Sequence, residues 1–360
     1  MLSTSSMSGS LTLQAAGLVA LADLSVVAQR TALMGTASYL DILVLAPGMH
    51  QQQSADEVNR GEYPMTGSMT KGNVFRVENP ATVRYLQNIS RTGCLVTAEV
   101  SLKPPSHKSL IIPLWDKDLS PFYFAGARAA VLYFLCPVLA VIVFTLLGAI
   151  RDWWGLAVLV TLVFARWINV VVIKRRSRED WKGAKEEGRD DLFVLLSQDR
   201  WVRLQGTIND LKTATAGQWL REPHSGESFA VGLATLLVYS SAALAGNAST
   251  VGSLLIACLL LCTVALLALC NSSTRCLQMY DCVVREAEGS LKEYPRRMEM
   301  VKYLIHETRR SDWALGMELI TSDERAKIVK SMPPSNEPTD RPLSMHPSLP
   351  LSSHVDRNSL

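Results

Sequence analysis

Few side chains in this sequence are spaced for chemistry, and those few sit in apolar surroundings. Arg166 and Asn169 lie three apart inside an otherwise apolar run, so one helical face would carry both. An ionisable group at membrane depth is a candidate for an ion or substrate path. The competing reading is structural. Arg166 precedes Lys174 by about two turns, on the order of 10 Å, and its aliphatic stem can carry the guanidinium to the headgroups.

The chain has seven cysteines. Cys258, Cys262, Cys270, Cys276 and Cys282 fall in or just after a late apolar run, at spacings that fit neither a zinc ribbon nor a CxxC redox pair. They read as small apolar packing residues in a reducing compartment. Cys270 and Cys276, at the membrane edge, are also candidates for acylation. His306-Glu307 lacks a second histidine at zincin spacing, and GxxxxGK[ST], GxGxxG and GxSxG are all missing. The sequence therefore predicts no catalytic, cofactor-binding or metal-ligating set, and no cofactor.

The elements that must hold Arg166 and Asn169 are two long apolar runs. Ala129 to Ile150 carries thirteen Leu, Ile, Val or Phe and no charge; Gly155 to Ile173 carries twelve. Near the bilayer centre each is worth roughly −0.3 to −0.6 kcal/mol, which outweighs the cost of about 3 kcal/mol for Arg166. A hydrocarbon core of about 30 Å offers peptide groups no water, so each run must close its own hydrogen bonds as a helix. Arg151-Asp152-Trp153-Trp154 joins the two, and Lys174-Arg175-Arg176 pins the far end. Trp153 and Trp154 suit the opposite interface, and Pro137 predicts a kink. A second pair follows, Ser228 to Gly246 and Val251 to Cys270. In it Ala230/Ala234 and Ala242/Gly246 would allow close helix approach.

The fold class expected is an α-helical polytopic membrane protein. It has two transmembrane helical hairpins, cytosolic and mainly helical segments, and a small mixed α/β N-terminal region. Residues 1–30 read as an N-terminal helix, interfacial or packed on protein, with a fifth span over 11–28 as the alternative. Residues 31–126 read as a soluble mixed α/β region, with a helix from Thr82 to Ile89 and strands at Cys94 to Leu102 and Ser109 to Trp115. Hairpins occupy 127–176 and 228–270. Between them, 177–227 reads as a cytosolic amphipathic helical segment, because Val194, Trp201, Leu204, Ile208 and Leu211 recur at helical spacing. Trp201 and Trp219 would then lie at headgroup depth or in a helical core. Residues 271–330 read as a cytosolic helical region, and 331–360, rich in Pro and Ser, as a disordered tail.

The turns of the hairpins carry one cation, Arg151, beside Asp152. The flanks on the other side carry Lys108, Lys117, Arg128, Lys174, Arg175, Arg176, Arg178 and Arg275. The positive-inside bias places both termini in the cytosol and leaves the membrane itself unidentified. A net charge of +3 without a basic tract excludes nucleic acid as a partner. The partners expected are the lipid bilayer and proteins on the cytosolic face; oligomeric state is open.

Three stretches, TASYLDILVLAPG (Thr36 to Gly48), FARWINVVVIKRRS (Phe164 to Ser177) and LLSQDRWVRLQGTINDLKTATAGQWL (Leu195 to Leu220), resemble uncharacterised multi-pass integral membrane proteins of filamentous fungi. The resemblance covers roughly residues 31–320 and implies a membrane location and a lineage, not an activity. A structural or interaction protein, serving as scaffold or sensor, is the leading expectation. A small channel or transporter subunit using Arg166 and Asn169 is the second, and a membrane-bound enzyme with an unrecognised site is the third.

Overall fold

The computed structural model describes residues 22, 24–50, 55–102, 126–178 and 183–331, and they are mostly helical. The strand expected at Ser109 to Trp115, most of the stretch 1–30 and all but the first residue of the tail lie outside those residues.

Eight strands form one sheet from three separate stretches of chain. β1 (Met65–Ser68), β2 (Val74–Arg76) and β3 (Cys94–Leu102) precede the first apolar pair. β4 (Arg189–Leu196) and β5 (Arg200–Thr207) lie between the pairs. β6 (Cys276–Met279), β7 (Cys282–Glu286) and β8 (Lys292–Glu293) follow the second. The order is β2-β1-β4-β5-β3-β7-β6, and β8 also pairs with β3. β3 runs parallel to β5, with Leu95 opposite Trp201 and Val100 opposite Gly206. The other pairings are antiparallel.

Helices cover both faces of the sheet. On one face Leu192, Val194, Leu196, Val202 and Leu204 pack against α3 (Pro80–Ile89) and α6 (Ile208–Thr215). On the other, Phe193 and Trp201 pack against α9 (Arg297–Thr308), α10 (Asp312–Gly316) and α11 (Ser322–Ser331). Trp313 anchors that second core, with its ring 5.3 Å from Phe193. The helix expected over Thr82 to Ile89 is present, as is the strand at Cys94 to Leu102.

Two expectations are corrected. Residues 177–227 do not form an amphipathic helical segment: Arg189–Leu196 and Arg200–Thr207 are strands, and the helix there is only Ile208–Thr215. A strand buried on both faces loses its polar alternation. The remaining apolar positions then mimicked a helical stripe across a strand–helix junction. Trp201 and Trp219 are both buried in the protein core rather than placed at headgroup depth. Residues 271–330 likewise open with β6, β7 and β8 before turning helical.

Four helices are long and apolar enough to cross a membrane: α4 (Ala127–Ala149), α5 (Trp153–Arg176), α7 (Ser225–Leu244, prolonged by a 3-10 turn to Asn247) and α8 (Thr250–Ser273). At 1.5 Å per residue each exceeds about 30 Å. α4 packs along α8, and α5 along α7; the sequence neighbours α7 and α8 barely touch. Ala234 is buried in this bundle, whereas Gly246 faces open space. The outward faces are apolar, with Val131, Val138, Val141, Leu236, Leu254 and Leu261 all exposed. Patches of that extent on a protein surface mark contact with lipid or another apolar partner.

At the end remote from the sheet, Asp152 ties the two turns together. Its Oδ1 accepts the Gly155 N–H (2.9 Å), capping α5. Its Oδ2 accepts the Ser249 N–H (2.9 Å) and hydroxyl (2.6 Å). The Ser249 Oγ in turn accepts the Gly252 N–H (3.0 Å) and caps α8. A Cβ at Gly252 would collide with the Asp152 carboxylate. Burial opposes the charge on Asp152, but the bonds from Ser249 and Gly155 outweigh it and hold the carboxyl below its ordinary range. A depressed folded-state pKa stabilises the fold above the ordinary carboxylate pKa, and that stability is lost as pH falls through the depressed value. Asp152→Ala should cost about 2 kcal/mol, the upper range for a cap. In thermal melts of detergent-solubilised protein, Asp152→Asn should lose less stability on acidification than the wild type. Parallel pH dependences would rule out the shared cap.

Candidate functional site

Residues 24–50 form a wedge between the sheet and the four apolar helices. α1 (Val26–Met34) stops at Gly35, whose φ of 69° is left-handed. A Cβ there would meet the Gln278 carbonyl of β6, so the chain turns against the sheet edge where only glycine fits. A 3-10 turn follows at Tyr39–Leu43, opened by a capping box. The Ser38 hydroxyl accepts the Leu40 N–H (3.3 Å), and Asp41 Oδ2 accepts the Ser38 N–H (2.7 Å). Val44, Leu45, Ala46 and Met49 then sink into the core shared with the long helices.

The wedge touches each of the four helices through a named polar contact. From α4, the Tyr133 hydroxyl donates to Asp41 Oδ1 at 2.6 Å. From α5, Arg166 Nε donates to the Asp41 carbonyl at 3.0 Å. From α7, Thr235 Oγ1 approaches the His50 carbonyl at 3.5 Å, and the Tyr239 ring lies 6.0 Å from that of His50. From α8, Asn271 Nδ2 donates to the Val26 carbonyl at 3.0 Å, and Thr274 Oγ1 accepts from Arg30 at 3.2 Å. The Arg30 guanidinium also sits 5.2 Å from the Tyr133 ring centroid. Asp41, Tyr133, Arg166 and Asn169 are all buried.

The sequence singled out Arg166 and Asn169, and both lie on this inner face. The guanidinium does not run outward to the headgroups: Arg166 is 2% exposed and is bonded to the wedge. Asn169 is fully buried and donates to the Ala165 carbonyl (3.3 Å). Of the anchoring cations, Arg176 Nε donates to the Arg221 carbonyl (2.8 Å), Lys174 lies 3.7 Å above the Tyr39 ring, and Arg175 is exposed. Trp153 and Trp154 are 73% and 51% exposed at the opposite end, as interface residues would be. Cys270 and Cys276 are both buried, and the Cys270 thiol lies 3.2 Å from the Ala129 carbonyl. Neither is presented to an acyl donor, which argues against acylation there. The exposed cysteines are Cys258 and Cys262, inside α8. No group of His, Cys, Asp or Glu that could hold a metal ion occurs among the described residues.

Sequence reasoning missed Asp41, Tyr133 and Arg30. The available signals were a lone carboxylate in the apolar stretch YLDILVL and a lone phenol near the start of the first apolar run. Chemically the cluster can hold charge in place and fix backbone; its donors and acceptors face one another. Comparison with protein-family models, with curated proteins and with solved structures found no match.

Removing one member of a buried charged set leaves the other uncompensated, at about 3 kcal/mol or more. Arg166→Leu should therefore lower the melting temperature sharply and expose residues 24–50 to protease. Tyr133→Phe should cost about 1–2 kcal/mol. A double-mutant cycle between Tyr133→Phe and Asp41→Asn should show coupling of about 1 kcal/mol, and strict additivity would separate the two residues.

Proposed function

We propose that this chain is a polytopic membrane protein of structural or interaction type, whose sheet-bearing part recruits or senses protein partners in the cytosol. The observation that carries this reading is the use made of Arg166. It is spent on fixing the wedge to the bundle, through the Asp41 carbonyl, instead of lining a path. The exposed surface of the sheet-bearing part is left to meet partners.

The arrangement of the sheet supports the two hairpins. Strands cannot hydrogen-bond through a bilayer, whose core satisfies no polar backbone group. β3, β4 and β6 share one sheet, so the chain between them must cross the bilayer an even number of times. Orientation rests on charge. Arg128, Lys174, Arg175, Arg176, Arg178 and Arg275 all lie at the sheet end, and Arg151 beside Asp152 at the other. That distribution favours a cytosolic sheet and cytosolic termini.

A channel or transporter subunit is the second reading, favoured by Arg166 and Asn169 lying at membrane depth. Proximity labelling from either terminus should recover cytosolic proteins reproducibly, and protease added to sealed vesicles should cut both ends from the same face. Ion or solute flux that reconstituted protein supports, and that a folded Arg166→Lys variant abolishes, would overturn the structural reading in favour of transport.

A further inference from the structure

The cations at the sheet end of the bundle do more than set orientation. Arg128, Arg175, Arg178 and Arg275 are exposed, and among the described residues none of the four is engaged in an ion pair. They lie just where the apolar outer faces of α4, α5 and α8 end. Lys174 joins them, held over the half-exposed ring of Tyr39. At the same end, the Glu227 carboxylate is already bonded to Arg221.

Helix electrostatics explains only part of this set. Cations suit the C-terminus of α5, where Lys174 and Arg175 complement the helix dipole. Arg128 sits in the first turn of α4, the positive end, where the dipole opposes it. A cation kept there, exposed and with no acidic partner among the described residues, is open to charge outside the protein. α4 and α8 are neighbours at this end, since Cys270 reaches the Ala129 carbonyl. That contact puts Arg128 and Arg275, which follows α8, at the same end of the α4–α8 pair.

We infer that this rim is a binding surface for anionic phospholipid headgroups, with acyl chains lying along the exposed apolar faces below. Charge complementarity selects the headgroup, and continuity with the apolar girdle selects a lipid over a soluble anion. The inference rests on the membrane reading above. Each cation near an anionic leaflet contributes about five-fold in partition, and the effect is screened by salt.

The test is electron paramagnetic resonance on the full chain reconstituted in phosphatidylcholine, with spin-labelled phosphatidylserine compared against spin-labelled phosphatidylcholine. The expected result is a motionally restricted lipid component that favours the anionic label by about five-fold or more and shrinks as salt rises. Arg128→Gln with Arg275→Gln, and separately Arg175→Gln with Arg178→Gln, should each reduce that preference several-fold. A melting temperature measured on the same variants confirms that they remain folded. A restricted component with no anionic preference would overturn the inference and leave the membrane reading standing. The absence of any restricted component would overturn both.

Discussion

A peptide group buried outside regular secondary structure must find its partner inside the protein. That constraint explains most of what surrounds residues 36–50. The stretch is not helical beyond a single 3-10 turn, yet it packs in one core with four apolar helices. Arg166 supplies the donor for the Asp41 carbonyl, and Ser38 and Asp41 satisfy each other's backbone. Irregular backbone is tolerated in such a place only when protein covers it. The cross-pairing of the helices makes room for it. With α4 on α8 and α5 on α7, the second pair stays open, and the wedge reaches both α7 and α8.

The apolar helices were legible in the sequence because hydropathy over about twenty residues is a local signal. α4 and α5 fall within a few residues of the runs read at Ala129 to Ile150 and Gly155 to Ile173. The sheet was not legible, because its strands pair across the long apolar helices that separate them in the chain. β3 at Cys94–Leu102 was found from its own β-branched run. Its neighbours β5 and β7 lie beyond one and both apolar pairs. Nothing local distinguishes a doubly buried strand such as Leu192–Leu196 from a buried helical turn.

Arg166 shows the same limit at a single residue. Its distance from Lys174 permitted either direction for the side chain, and snorkelling costs less in isolation. What decides the matter is a carbonyl 125 residues earlier in the chain. Tyr133 and Asp41 likewise look unremarkable alone and acquire meaning only as a pair, 92 residues apart. Residues whose partners are distant in sequence carry no periodicity to betray them, so a site built this way is invisible to pattern reading.

The interleaving also fixes the order in which the structure can close. β3 exposes one edge until β5 has been made, and the other until β7 has, so the sheet is incomplete while only the first hairpin is in place. Contacts of such long separation form slowly and leave strand edges exposed meanwhile. The core of the sheet includes Val170 and Ile173 from α5, together with Leu33 from α1. The bundle, the wedge and the sheet are therefore joined through side chains that belong to more than one of them. A change in the sheet would then reach the apolar helices through packed residues rather than through a flexible linker.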